Sequence, residues 1–171
     1  MSRRRSTKNA PTARASWWRG SRGEWLVVGQ VILLALVFLG PRNLPGWPVW
    51  PYGRLFLLAG CCLMALGGLL LGAAVLHLGP ALTPLPYPRQ EARFVQSGMY
   101  GLVRHPIYFG ALVLGLGWAA CVQGGLTLGY LILLFLFLDY KARREEKWLC
   151  AKHPDYANYQ SRVRKLIPFV Y

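Results

Sequence analysis

The sequence predicts an all-α polytopic membrane bundle of about four transmembrane helices, with a C-terminal helical hairpin extending into the cytoplasm. Three observations predict it. The 171-residue chain is 54% hydrophobic yet carries a net charge of +14, a pairing that strains a small soluble fold but is natural where apolar spans and basic ends are segregated. The apolar residues come in long runs, and no side chain between Ile107 and Leu138 is charged. The basic residues lie almost entirely to one side of those runs.

Residues 1–24 form a basic tail in which Arg3, Arg4, Arg5, Lys8, Arg14, Arg19 and Arg22 are opposed only by Glu24. Its polarity predicts disorder. No small-residue cleavage site follows the first apolar run before Pro41, so that run reads as a retained span rather than a secretory signal. The span, residues 25–40, would rise about 24 Å as a helix, and thinning of the bilayer absorbs the shortfall. The repeated prolines of Pro41 to Pro48 cannot continue a helix and read as a tight external loop. Trp47, Trp50 and Tyr52 suit an interfacial aromatic belt.

The second span is residues 55–79, where Gly68 and Gly72 are spaced for close helix approach, within the bundle by preference or else across a dimer seam. A proline-rich connector, Pro80 to Arg104, leads to the third span, 107–122. Gln123-Gly124-Gly125 is a turn signal, and the fourth span is 126–140. Good helix formers from Lys141 to Leu149 predict that the fourth helix runs on past the bilayer into the cytoplasmic segment 141–171. His153-Pro154-Asp155 ends it, with Asp155 placed to cap a short terminal helix through Tyr156, Tyr159 and Val163.

Four spans put the tail, the connector and the C-terminal segment on one side. That side holds eighteen of the twenty Lys and Arg residues, only Arg42 and Arg54 lying opposite, so it is expected to be cytoplasmic with both termini. The expected location is the inner (plasma) membrane. Nucleic acid is not an expected partner, because the basic segments flank apolar runs and contain no zinc, helix-turn-helix or RNA-binding motif; attraction to anionic lipid explains the same charges. Cys61, Cys62, Cys121 and Cys150 form no C-x-x-C pair and read as buried, inert thiols. No metal site is expected.

The polar residues that call for explanation cluster at the start of the third span, in Arg104-His105-Pro106-Ile107-Tyr108-Phe109-Gly110. Pro106 suits the first helical turn. The free N–H groups and positive dipole end of that helix then lie beside Arg104 and His105, a setting that attracts a carboxylate or phosphate. The plainer alternative is that Arg104 reaches lipid phosphates and His105 caps the helix. Tyr100 and Tyr108 bracket this mouth, each offering a ring face and a hydroxyl, or else interfacial anchoring. Glu145 and Glu146 point about 100° apart on a helix and cannot form a close carboxylate dyad. Either they belong to a solvated salt-bridged face with Lys141 and Arg143, or one turns inward to hold an ammonium or hydroxyls. His77 reads as a packing residue, and His153 as a helix terminator rather than a general base.

Taken together, the chain from about Leu82 onward resembles the isoprenylcysteine carboxyl methyltransferase and phospholipid methyltransferase superfamily. The resemblance rests on Leu82-Thr83-Pro84, Ser97-Gly98-Met99-Tyr100, Arg104 to Gly110, Glu145-Glu146 with Leu149, and Tyr156-x-x-Tyr159 before Leu166-Ile167-Pro168. It implies that S-adenosylmethionine binds at the cytoplasmic face, lined by Phe94, Val95, Tyr100, His105, Pro106, Tyr108 and Glu145. Arg104, Lys141 and Glu146 are further candidates for substrate or cofactor contact. The eukaryotic carboxyl methyltransferases have His where Ala92 stands and Arg where Lys141 stands, and lysine lacks the planar fork that grips a carboxylate.

The implied activity is methyl transfer to a lipophilic acceptor entering from the bilayer, with carboxyl O-methylation of isoprenylcysteine type as the leading expectation. The alternatives are a phospholipid N-methyltransferase, a nicotinamide-dependent reductase resembling the membrane sterol reductases, and a non-enzymatic lipid-binding or scaffold protein.

Overall fold

The computed structural model describes residues 23–48, 50–79, 82 and 95–171. The basic tail to Arg22, Phe94 and most of the proline-rich connector therefore lie outside the described residues. Six helices are present among the described ones: α1 (Glu24–Leu39), α2 (Gly53–Leu78), α3 (Met99–Leu102), α4 (Pro106–Val122), α5 (Gly125–Lys152) and α6 (Tyr156–Arg162).

Local chemistry explains most boundaries. Pro106 stands in the first turn of α4, as its missing N–H requires. Gln123, in the left-handed region at φ 50°, ends α4, and α5 begins two residues later. The loop after α1 seals this turn: Asn43 Nδ2 donates to the Gln123 carbonyl (3.1 Å), and the Gly125 N–H donates to Asn43 Oδ1 (2.7 Å). Trp47 is 46% exposed, and its ring packs on Gly125, where a β-carbon would collide with it. Asp155 occupies the N-cap position of α6 but its side chain makes no capping bond, contrary to expectation. Its backbone is already helical (φ −77°, ψ −5°), so the carboxylate is not presented to the first-turn N–H groups as an extended N-cap would present it.

The long helices form a row, α1–α5–α4–α2, with neighbours antiparallel. Small residues set the α2–α4 seam. A β-carbon on Gly67 would lie 2.5 Å from the Leu114 backbone nitrogen, and one on Gly117 would lie 2.6 Å from that of Met64. Gly60, Gly67 and Ala74, the buried residues of α2, recur every seven positions along one stripe. The expected close-approach pair, Gly68 and Gly72, faces open space instead. The i, i+4 spacing was sound, but the helix phase turns those two glycines outward.

α2 and α5 are long and apolar enough to cross a membrane; α1 and α4 are apolar but shorter. Leu55, Leu58, Leu69 and Leu76 on α2 are each more than 60% exposed. Rows of bare leucine are unfavourable against water and suit lipid. The apolar stretch of α5 ends at Leu138, and from Asp139 the same helix continues with eight charged residues among fourteen. Two long apolar helices with this surface suggest a membrane protein.

The last segment folds back over the polar end. Arg104 and His105 donate their backbone N–H groups to the Arg164 and Lys165 carbonyls (2.8 and 3.1 Å), and the Tyr159 hydroxyl donates to the Tyr100 carbonyl (2.5 Å). Lys165 pairs with Asp139. The Tyr171 hydroxyl accepts from Lys165 Nζ (2.8 Å) and donates to Asp139 Oδ1 (3.0 Å). The entrance to α4 is thereby enclosed between α5 and the final residues.

Candidate functional site

His105 precedes α4 with φ −123° and ψ 65°, and its side chain makes no capping bond. The ring is directed instead toward α5, and the two adjacent glutamates divide it between them. Nδ1 lies 3.5 Å from Glu145 Oε2, and Nε2 lies 3.2 Å from Glu146 Oε1. The 100° between neighbouring positions on α5, which rules out a close carboxylate pair, lets the two carboxylates reach opposite nitrogens of one imidazole. The Tyr108 ring stacks on that of His105, nearly parallel at 5.2 Å.

Glu146 is the structural partner. It accepts from Arg104 Nε (2.7 Å), His105 Nε2 (3.2 Å) and Gln160 Nε2 (2.8 Å). Burial opposes its charge, but the hydrogen bonds and charges of His105 and Arg104 prevail and hold its carboxyl at about 2. Arg104 also donates from Nη1 to the Gln160 and Val163 carbonyls (2.9 and 2.5 Å). Its guanidinium is thus occupied in fastening the final segment to the helix mouth.

Glu145 has a different environment. Its Oε1 accepts from the Tyr108 hydroxyl (2.5 Å) and lies 3.8 Å from Lys141 Nζ. Burial raises its proton affinity above that of an ordinary carboxylate, and the nearby His105, Lys141 and Tyr108 only partly reverse this. Two adjacent glutamates are thus driven in opposite directions, one a firmly ionised clamp and the other a carboxylate that takes a proton more readily. Such divergence characterises functional sites. Tyr100 is buried nearby, its hydroxyl pushed up to about 12 by burial and by the Glu145 charge, so it remains a donor at neutral pH.

Lys141 is almost fully buried. Its ammonium donates to Gln30 Oε1 of α1 (2.5 Å) and stands over the Tyr108 ring at 5.2 Å. Val95 is half-buried at the start of the segment leading to α3. The structure therefore brings together Tyr100, Arg104, His105, Pro106, Tyr108, Lys141, Glu145 and Glu146. The i, i+4 pairs Asp139–Arg143 and Lys141–Glu145 both form, but only Arg143 is solvated; Lys141 is buried, and both glutamates turn inward rather than one.

Sequence reasoning overlooked Gln30 and Gln160. Gln30 was detectable as a lone amide in an apolar helix, which needs an internal partner; Gln160 carries no comparable mark. His77 lies in the last turn of α2, exposed, with Nδ1 2.7 Å from the Ala73 carbonyl and the ring against Gly98, rather than deep in a span. Cys61, Cys62 and Cys150 are exposed, contrary to the expectation of buried thiols, although Cys61 touches Cys121 and Cys150 lies 3.9 Å from Gln160 Oε1. Among the described residues no three His, Cys, Asp or Glu side chains converge as metal ligands.

The donor set fits a ligand carrying both positive and negative groups. Glu145 offers a buried carboxylate to a cation or hydroxyl, and the entrance of α4 offers N–H groups to an anion. An all-helical membrane-type domain with a His–Glu–Tyr cluster at a helix mouth is the class these features define. The chain belongs to the phospholipid methyltransferase family, whose model matches residues 55–155, a stretch that contains every one of these side chains except Gln30 and Gln160. That family is part of the superfamily that also includes the isoprenylcysteine carboxyl methyltransferases. The chain is also similar to the cobalt-zinc-cadmium resistance protein CzcN of Cupriavidus metallidurans, at 30% identity over 149 residues. The match covers 85% of this chain and 62% of that protein, so the chain spans somewhat under two thirds of its relative's length.

Proposed function

We propose that this chain is an integral membrane methyltransferase that binds S-adenosylmethionine at the mouth of α4 and methylates a lipophilic acceptor arriving sideways from the bilayer. Four spans, with both ends cytoplasmic, complete the reading. Its support is the basic residues gathered on the side of the cluster, together with the bare leucines of α2. The observation that carries it is Glu145, a buried carboxylate of raised proton affinity held by Tyr108 beside His105, inside the stretch matched by the family.

When bound, the cofactor supplies an electrophilic methyl group for in-line displacement, so alignment of the reactants does most of the catalytic work. Glu145 would hold the cofactor's ammonium or ribose hydroxyls. The N–H groups of α4 and a ring nitrogen of His105 suit its carboxylate. Tyr100, protonated at neutral pH, donates a hydrogen bond nearby. Arg104 and Glu146 act at one remove, fastening the final segment so that the mouth keeps its shape. Saturable binding of S-adenosylhomocysteine to the protein in detergent tests this assignment. Glu145→Gln and His105→Ala should each weaken binding by roughly tenfold or more, the loss expected for a charge-assisted hydrogen bond; unchanged binding in both would refute it.

For the acceptor, the leading reading remains a carboxylate of isoprenylcysteine type, supported by the buried Lys141 ammonium beside the cluster. A carboxylate is already ionised at neutral pH and needs no base. The raised proton affinity of Glu145 favours a second reading, an amine headgroup, because an ammonium must lose a proton before it can be methylated. Labelled cofactor supplied to membranes separates the two: base-labile label marks an ester, and base-stable lipid label marks an N-methyl product.

A further inference from the structure

About 24 Å along α4 from His105, at the far end of the α2–α4 seam, Cys121 brings together three sulfur atoms. Cys121 Sγ, one residue from the end of α4, lies 3.9 Å from Cys61 Sγ and 3.9 Å from Met64 Sδ. Cys61 and Met64 are three residues apart on α2 and share a face. The positions are imposed by the backbone: Gly60 and Gly117 bring the helices so close that a β-carbon on Gly60 would touch Cys121. The thiols are free.

We propose that Cys61, Cys121 and Met64 form a binding site for a thiophilic closed-shell cation of the Zn2+, Cd2+ or Cu+ type, separate from the methyl-transfer site. Geometry is the first support. Three sulfurs each about 2.3 Å from a common ion stand about 3.8–4.0 Å apart in trigonal or tetrahedral arrangement, which matches the 3.9 Å from Cys121 to each of its two partners. Ligand chemistry is the second, since thiolate and thioether sulfur select soft ions over Mg2+ or Ca2+.

Charge is the third support. Binding a divalent ion releases the two thiol protons, M2+ + 2 RSH → M(SR)2 + 2 H+, and leaves a neutral centre; a monovalent ion needs to displace only one proton. Neutrality matters among apolar residues, where an uncompensated charge is expensive. The site is also within reach. Cys121 lies two residues before Gln123, in the polar turn that Asn43 seals, and Cys61 lies about 12 Å along α2 from Gly53, which packs on the Gln123 side chain.

The test is a Cd2+ titration of the reduced full-length protein in detergent under anaerobic conditions, read by the ultraviolet thiolate-to-metal charge-transfer band, with Zn2+ and Cu+ as competitors. One equivalent should bind. Cys61→Ser and Cys121→Ser should each weaken binding by on the order of a hundredfold and Met64→Leu by about tenfold, while Cys62→Ser and Cys150→Ser bind as the parent does. Thermal unfolding should shift upward with Cd2+ in the parent and not in Cys121→Ser. Undiminished binding in either Cys61→Ser or Cys121→Ser overturns the proposal. So does a reduced protein that forms a Cys61–Cys121 disulfide on exposure to air yet takes up no cation.

Discussion

Replacing Glu146 by glutamine probes the division of labour between the two glutamates. Glu146 accepts from Arg104, His105 and Gln160, and its carboxyl sits at about 2, against an ordinary value of 4.5. It is 6% exposed, so solvent screening is slight. A depression of roughly 2.5 units at about 1.4 kcal/mol per unit sets an upper bound of about 3.5 kcal/mol, and residual screening brings the ionised form's contribution to folding to about 3 kcal/mol. The folded value is lowered, so the contribution is complete above pH 4.5 and is lost as the pH falls toward 2. Glutamine is nearly isosteric but uncharged, and its amide group would face other donors.

Glu146→Gln should therefore unfold about 3 kcal/mol more easily at pH 7 in a graded detergent-denaturation assay. The gap should narrow from pH 4.5 downward and close near pH 2. A constant gap across that range would mean that shape alone, and not charge, is at issue. No gap at pH 7 would refute the clamp.

Other perturbations probe neighbouring parts of the same fold. Tyr108→Phe removes a hydrogen bond that stabilises the ionised form of Glu145; the carboxyl should become still easier to protonate, so the acid limb of cofactor binding moves to higher pH, measured as the pH dependence of S-adenosylhomocysteine affinity. The same change should cost about 1.5–3 kcal/mol of stability, the range for a hydrogen bond to a charged group. On the α2–α4 seam, Gly67→Ala meets the Leu114 backbone and should destabilise by about 1–3 kcal/mol. Gly68→Ala meets nothing and should leave unfolding within about 1 kcal/mol of the parent.

The described helices other than α3, which lies in the stretch expected to be connector, were legible because their determinants are local. Apolar runs, the prolines after α1, Pro106 and the Gln123-Gly124-Gly125 turn mark their own boundaries, and observed ends fall within a few residues of expectation. The run-on of α5 past the apolar stretch was legible for the same reason. The failures are matters of rotation and partnership. Gly68 and Gly72 have suitable spacing but the wrong phase, while Gly60, Gly67 and Ala74 form the seam. Arg104, expected to contact lipid, cofactor or substrate, has protein partners that the sequence did not offer: Glu146 and carbonyls more than fifty residues away.

By itself, the sequence determined the class of this protein: an all-helical chain with long apolar helices, a polar helix mouth at Arg104 to Gly110 and a charged extension of the last long helix. Hydropathy, proline and turn chemistry act over a few residues, and a reader of the chain sees them directly. Only the tertiary structure decided what each polar residue does. Placing α5 against α4 gave Glu145 to Tyr108 and Glu146 to Arg104; burial then raised the first carboxyl, while hydrogen bonds and charge from His105 and Arg104 lowered the second. The same docking of α2 on α4 brought two thiols and a thioether into contact at the opposite end. These outcomes depend on helix phase and on partners remote in sequence, and no local pattern encodes either.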